Sequence, residues 1–123
     1  MEKTGKQFTG YRTLGMMYDG VLVAAILCNR FGVFDCQVHI YAEPGVMWAT
    51  PENCRAAFAF IFVLLDRRRI TCETPVSNPR MIRVNRKLGM VQEGVKRKGA
   101  DDGGDAIIFG MLREECNWIK GAP

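Results

Sequence analysis

Long apolar runs are missing from this chain of 123 residues. The longest extends from Ala56 to Leu65, which is shorter than the ~20 residues that a membrane-spanning helix needs. Residues 1–10 are polar and contain nothing like the apolar core of a secretory signal peptide. The sequence also has no internal repeat and no proline- or serine-rich linker. These absences predict one cytoplasmic domain with no membrane partner.

Clustered zinc ligands are missing as well. The only histidine is His39, and the five cysteines are spread along the chain without a Cys-x-x-Cys pair. A metal site needs such residues close together, and an odd number of scattered cysteines fits no disulfide framework. We therefore expect no metal and five buried free thiols: Cys28, Cys36, Cys54, Cys72 and Cys116.

Positive charge is concentrated in one segment. Residues 67–98 hold ten basic side chains against Glu73 and Glu93, a formal charge of +8, whereas the whole chain carries +4. Such a segment favours an anionic partner such as cofactor phosphates, nucleic acid or lipid headgroups, and a solvated surface is the alternative. Nucleic acid is disfavoured because no recognised binding motif accompanies the charges.

The first part of the chain is typical of an antiparallel meander. We predict a flexible lead-in over residues 1–13, followed by strands at 14–18, 21–30 and 36–42. Asp19-Gly20, between the first two strands, is a strong two-residue hairpin signal.

Two helices are predicted in the second part. Thr50-Pro51-Glu52 combines a hydroxyl cap, a proline and an acid, so it is a helix start, and the helix over residues 51–65 is apolar on nearly every face. A second helix, over residues 79–87, ends at Gly89.

Further strands are predicted at 69–74, 91–98 and 105–112, with a terminal helical turn at 114–119. The element order is that of an α/β protein with helices packed on a mixed sheet. Because a helix connects them, strand 69–74 should lie parallel to strand 36–42.

The most informative segment of the sequence extends from Arg68 to Glu115, and its residues follow a recognisable spacing. Seven positions among about 17 match one pattern: Asn78, Val84, Lys87, Leu88, Gly89, Glu93 and Gly94. This pattern resembles the GNAT superfamily of acyl-CoA-dependent N-acyltransferases. Glu93-Gly94 and the later residues 111–115 look most like the ribosomal-protein N-acetyltransferase branch. Short bacteriophage proteins carry similar text, which would place this protein in the host cytoplasm.

The resemblance implies an α/β fold in one domain over residues 14–123, shortened at the N-terminus. Its parts would be an antiparallel meander, a βαβ crossover with splayed parallel strands, a second helix and a C-terminal hairpin. It also implies acetyl-CoA as co-substrate. In the family, the pantetheine arm bonds to the splayed strands like an extra strand, and the pyrophosphate lies over the start of the crossover helix.

The resemblance supplies ten candidate cofactor-binding residues around the end of the third strand and on the two helices. They are Tyr41, Met47, Trp48, Ala49, Thr50, Asn53, Arg55, Asn78, Arg83 and Lys87. Asn78 matches the family's cofactor-facing asparagine, with a helix cap as its structural alternative. For Trp48 the alternative is a core or interface role.

Several family features are absent. Residues 46–51 hold no glycine, although the family's pyrophosphate loop uses glycine to bring backbone amides close to phosphate. Asn85 stands where many members have a tyrosine general acid. The text before Leu14 is short for the family's first strand and paired helices, which shape the acceptor site. A homodimer or another partner chain is therefore left open.

Direct attack of an amine on a thioester needs a base that deprotonates the ammonium. The candidate catalytic residues are His39, on the third strand, and Glu43, directly after it. Glu73 is a third candidate. Their structural alternatives are loop carboxylates and a histidine packed in the sheet. The predicted function is an N-acetyltransferase acting on a protein N-terminus, a lysine or a small amine. The alternative is a binding or structural module of the same fold without catalysis.

Overall fold

The computed structural model describes residues 8–120. Within them, six strands form one mixed sheet: β1 Tyr11–Tyr18, β2 Val21–Asn29, β3 Asp35–Ala42, β4 Arg69–Pro75, β5 Val91–Lys96 and β6 Ala106–Leu112. Their spatial order is β1-β2-β3-β4-β6-β5, and only the β3–β4 pair is parallel. This confirms the predicted fold class, from the meander and the parallel crossover to the C-terminal hairpin.

Two helices cover one face of the sheet. α1 spans Pro51–Ala59 and continues into a π-helical segment, Phe60–Leu64, where the Leu65 N–H donates to the Phe60 carbonyl. α2 spans Pro79–Leu88. Residues of both helices enclose a small apolar cavity with the buried face of the sheet. The predicted crossover helix therefore forms, although its last turn is wider than the sequence pattern indicated.

The helix ends confirm the predicted capping residues. The Thr50 hydroxyl accepts a hydrogen bond from the Asn53 N–H at 3.1 Å. The Asn78 side chain accepts one from the Met81 N–H at 3.2 Å. Gly89 ends α2 with φ at +99°, a conformation that costs other residues about 1–2 kcal/mol. These local interactions fix where each helix begins and ends.

The predicted lead-in is wrong for residues 8–13. β1 begins at Tyr11, and Phe8 packs against the core with its ring 5.0 Å from that of Phe31. Residues 1–7 lie outside the described part of the chain. At the other end, a 3₁₀ turn at Arg113–Glu115 replaces the helical turn predicted over residues 114–119. Local sequence signals missed Phe8 because it packs against residues that are distant in the chain.

The buried thiols are as predicted. Cys28, Cys36, Cys54, Cys72 and Cys116 are all buried and unoxidised. Among residues 8–120 there is no group of three or more His, Cys, Asp or Glu side chains that could hold a metal ion. The same part of the chain has no helix long and apolar enough to cross a membrane.

Two of the arginines that begin the basic segment are engaged inside the fold. Arg67 is completely buried, and its guanidinium donates to the carbonyls of Leu65 at 3.0 Å and Gly32 at 2.9 Å. Arg69 forms an ion pair with Glu93, which lowers the pKa of that carboxyl. Part of the +8 segment therefore stabilises the fold. The charges of Arg67 and Arg69 are already engaged by groups of the protein itself.

Replacing Gly89 with alanine tests the cap of α2. We expect Gly89→Ala to lower the free energy of unfolding by about 1–2 kcal/mol, because a Cβ is strained at positive φ. Gly94→Ala is the matched control, since Gly94 has no positive φ and a Cβ there meets nothing within 4 Å. Chemical denaturation measures both. Equal stability of the two variants would contradict this account of the helix end.

Candidate active site

The parallel strands β3 and β4 separate after three paired positions. The pairs are Asp35 with Arg69, Cys36 with Ile70 and Gln37 with Thr71. Beyond them, β3 continues to Ala42 and β4 to Pro75, with each strand paired only on its other side. We call this gap the opening. The backbone groups that face it have no strand partner, as the predicted splayed pair requires.

The opening is a cavity of about 170 Å³. Its walls are Val38–Tyr41 of β3 and residues 72–75 of β4, and Asn78 and Met81 of α2 close one end. The family resemblance placed Asn78 at the cofactor, and the structure places it at the opening as well as at the helix cap. The two roles predicted for Asn78 are therefore compatible.

Further cavities lie on both faces of the sheet beside the opening. The helix-side cavity, about 250 Å³, is lined by Glu43, Trp48, Asn78, Arg80 and Val84 among others. The outer cavity, about 400 Å³, lies on the face without helices and includes Asn29, Arg30, His39, Glu73, Lys96 and Asp101. Asn78 lines both the opening and the helix-side cavity, whereas His39 and Glu73 line both the opening and the outer cavity. The site is thus accessible to ligands from two sides.

His39 and Glu73 lie opposite each other across the opening. The register that pairs Gln37 with Thr71 brings these two residues level, and alternation along each strand points both side chains to the outer face. The His39 Nε2 atom lies 2.9 Å from the Asn29 Oδ1 atom. If Nε2 carries the proton and donates in this bond, Nδ1 is the ring atom that can accept one.

Glu43 lies apart from His39. It follows β3 and lines the helix-side cavity, where its backbone N–H donates to the Val23 carbonyl at 2.9 Å. Asp101 and Glu73 both share the outer cavity with His39, and Glu73 also lines the opening and pairs with Lys96 at 3.5 Å. Sequence reasoning ranked Glu73 third because it did not use the strand register.

The structure brings only some of the candidate cofactor residues together. Tyr41 and Asn78 line the opening, and Trp48 lines the helix-side cavity. Seven others line none of these three cavities: Met47, Ala49, Thr50, Asn53, Arg55, Arg83 and Lys87. Three of the ten candidates thus lie beside the opening.

The start of α1 has few backbone donors for an anion. Pro51 has no N–H, and the Asn53 N–H is bonded to the Thr50 hydroxyl. The Cys54 N–H donates to the Thr50 carbonyl, and Glu52 adds a carboxylate to the first turn. The Asn53 side chain is also engaged, since its amide donates to the Trp48 carbonyl at 2.8 Å. The missing glycine loop is therefore accompanied by a helix start that is poorly suited to phosphate.

Arg80 is one of the cavity residues that sequence reasoning missed. It lies in the first turn of α2 and lines the helix-side cavity. Helical spacing places Val84 and Lys87 on the same side of α2, with Arg83 next to them. This i, i+4, i+7 spacing was a readable signal, but it did not indicate which side of α2 faces the cavity.

Asn85, at the position of the family's tyrosine, is a structural residue. Its buried side-chain amide donates to the Thr74 hydroxyl at 2.8 Å, which fastens α2 to the end of β4 beside the opening. Cys72, on the wall of the opening, is buried, and that burial raises the pKa of its thiol. A neutral buried thiol is a poor nucleophile, so Cys72 is poorly suited to attack a substrate.

Comparison with solved structures identifies the fold as that of the GNAT acetyltransferases. Mutant forms of the spermidine/spermine N-acetyltransferase SpeG from Vibrio cholerae match with a TM-score of 0.76 and 14% identity, over 92% of this chain and 72% of theirs. The dodecameric spermidine N-acetyltransferase from Vibrio cholerae gives 0.74 and 16%, over 92% and 70%. A probable acetyltransferase gives 0.72 and 20%, over 85% and 63%. No protein-family model and no curated protein matches the sequence.

Removing the Asn85 side chain tests what fastens α2 to β4. We expect Asn85→Ala to lower the free energy of unfolding by about 1–3 kcal/mol, because the buried Thr74 hydroxyl loses its amide partner. The exposed Asn117→Ala is the control and should change little. Chemical denaturation of Asn85→Ala, Thr74→Val and the double variant gives the coupling energy. Additive losses in the double variant would contradict the proposed bond.

Proposed function

We propose that this protein is an acetyl-CoA-dependent N-acetyltransferase that acts on a primary amine. The observation that carries the proposal is the opening between β3 and β4, with cavities on both faces of the sheet. In the proposed reaction the amine nitrogen forms a bond to the acetyl carbon and the thioester C–S bond breaks. The amine loses one proton and the thiol of coenzyme A gains one.

The opening suits the extended, amide-containing arm of coenzyme A. The unpaired backbone groups of Val38–Ala42 and Cys72–Pro75 offer hydrogen bonds to such a chain, as a neighbouring strand would. Asn78, at the end of the opening, adds a side-chain amide. When bound, acetyl-CoA would supply the activated acetyl group at this place.

The phosphate groups suit α2 better than α1. At the start of α1 the backbone donors of Asn53 and Cys54 are already bonded, and Glu52 repels an anion. Arg80 lines the helix-side cavity, and Arg83 and Lys87 extend the same positive side of α2. We therefore assign phosphate binding to these three cations.

The acceptor amine would enter from the outer cavity. There Glu73 would hold the ammonium, and the Nδ1 atom of His39 would accept its proton before attack. Asn29 keeps the ring in the required tautomer by accepting from Nε2. Glu43, on the other face, is then a cofactor-side residue and not the base.

A binding module without catalysis is the second candidate function. The observation that favours it is the start of α1, which lacks glycine and has few backbone N–H groups left to bind an anion. Membership of the ribosomal-protein branch and a bacteriophage origin stay predictions from the residue pattern. Self-association, or a partner chain that completes the acceptor side, stays a prediction as well.

An acetyl-transfer assay tests the proposal. We expect thiol release from acetyl-CoA in the presence of a primary amine, and micromolar binding of acetyl-CoA by calorimetry. His39→Ala should lower kcat by about 10²-fold or more, because it removes the general base. The exposed Glu114→Gln, at the other end of the sheet, is the control and should leave kcat unchanged.

Two results would contradict the proposal, and a third would assign the role of base to another residue. Binding of acetyl-CoA no tighter than millimolar would remove the enzyme hypothesis. Tight binding without thiol release would support the binding module. Full activity in His39→Ala would show that another group takes the proton.

A further inference from the structure

The outer cavity carries charges of both signs, and their arrangement bears on the acceptor. We infer that the acceptor is a small molecule that carries a primary amine and a carboxylate. This inference rests on the proposed acetyl transfer and narrows its substrate class. It differs from what the polyamine acetyltransferases with this fold are named for.

The negative end of the cavity lies at the opening. Glu73 lines both spaces, so its carboxylate can hold an ammonium within reach of the place where acetyl transfer would occur. His39 lines the same two spaces. The amine of the acceptor is thereby assigned to this end.

The positive end is Arg30, which directly follows β2. Among residues 8–120, no carboxylate lies within 4.0 Å of its guanidinium. Its φ of +50° is a conformation that glycine and asparagine tolerate better. An exposed arginine that lines this cavity suits recognition of a carboxylate.

The two ends line one half-open cavity. Gly99, Ala100 and Asp101 of the β5–β6 connection form its far wall, opposite Asn29 and Arg30. The hydroxyl of Ser77 donates to Asp102 at 2.6 Å, which ties this connection to the segment before α2. A volume of about 400 Å³ is enough for an amino acid or a molecule of similar size.

A polycation fits this cavity poorly. Arg30 and Lys96 both line it, and Lys96 already pairs with Glu73 at 3.5 Å. A second ammonium on the acceptor would lie near these two cations. Asp101 would then be the only other carboxylate among the residues that line this cavity. A carboxylate in the same position would instead gain a charge-assisted hydrogen bond.

Matched acceptors test this inference with the full chain and acetyl-CoA. The probes are γ-aminobutyrate, butylamine and 1,4-diaminobutane, which share a four-carbon amine and differ at the other end. We expect kcat/KM for γ-aminobutyrate to exceed the other two by about 10-fold or more. Arg30→Gln should abolish that preference by lowering kcat/KM for γ-aminobutyrate far more than for butylamine, and Arg30→Lys should restore part of it. Lys120→Gln, an exposed charge change near the chain end, is the control.

The outcomes separate the two levels of the account. Preference for 1,4-diaminobutane, or equal use of all three amines, would overturn the inference and leave the acetyltransferase proposal standing. An Arg30→Gln variant that loses activity equally with every amine would overturn the role of Arg30. If no amine releases thiol from acetyl-CoA, the proposed function fails and the inference fails with it.

Discussion

The separation of β3 from β4 is the constraint on which the rest of the site depends. Three backbone pairs hold the strands together at one end, and α2 holds the far end of β4 through the buried bond between Asn85 and Thr74. A sheet normally satisfies its backbone groups by continuous pairing, so an opening inside it is costly unless a ligand completes it. The same separation places Asn78 on one side and His39 with Glu73 on the other.

Charge in this molecule is divided between structure and site. The +8 segment looked like one functional feature of the sequence, yet Arg67 is buried among backbone carbonyls and Arg69 is paired with Glu93. The charges that remain near the opening belong to α2 on one face and to Lys96 on the other. Net charge alone does not separate these cations, and only burial and pairing identify those that serve the fold.

Local chemistry made much of the fold predictable from the sequence. Thr50 and Gly89 mark helix ends through interactions with near neighbours, and the connecting helix required β3 and β4 to be parallel. The contribution of Phe8 was not predictable, because it packs against Phe31 and Arg67 far along the chain. The π-helical segment after Ala59 has no distinctive residue pattern either.

The site was predictable only in part, for a related reason. Asn78 and Tyr41 could be placed by motif and strand position, and both line the opening. The partnership of His39 with Glu73 depends on the register of two strands that are distant in sequence, which no local pattern specifies. Arg80 required knowledge of which side of α2 faces the cavity. The sequence indicated the residue types of the site, but it could not predict which of them lie close together across the sheet.

Amide hydrogen exchange with and without acetyl-CoA tests the central claim most directly. If the opening is the cofactor site, acetyl-CoA will slow exchange at the amides of residues 38–42 and 72–74 that face it. Amides of β1 and β2, which are paired with each other, will change little and serve as the internal reference. Saturating acetyl-CoA that leaves exchange in both halves of the opening unchanged would contradict the account.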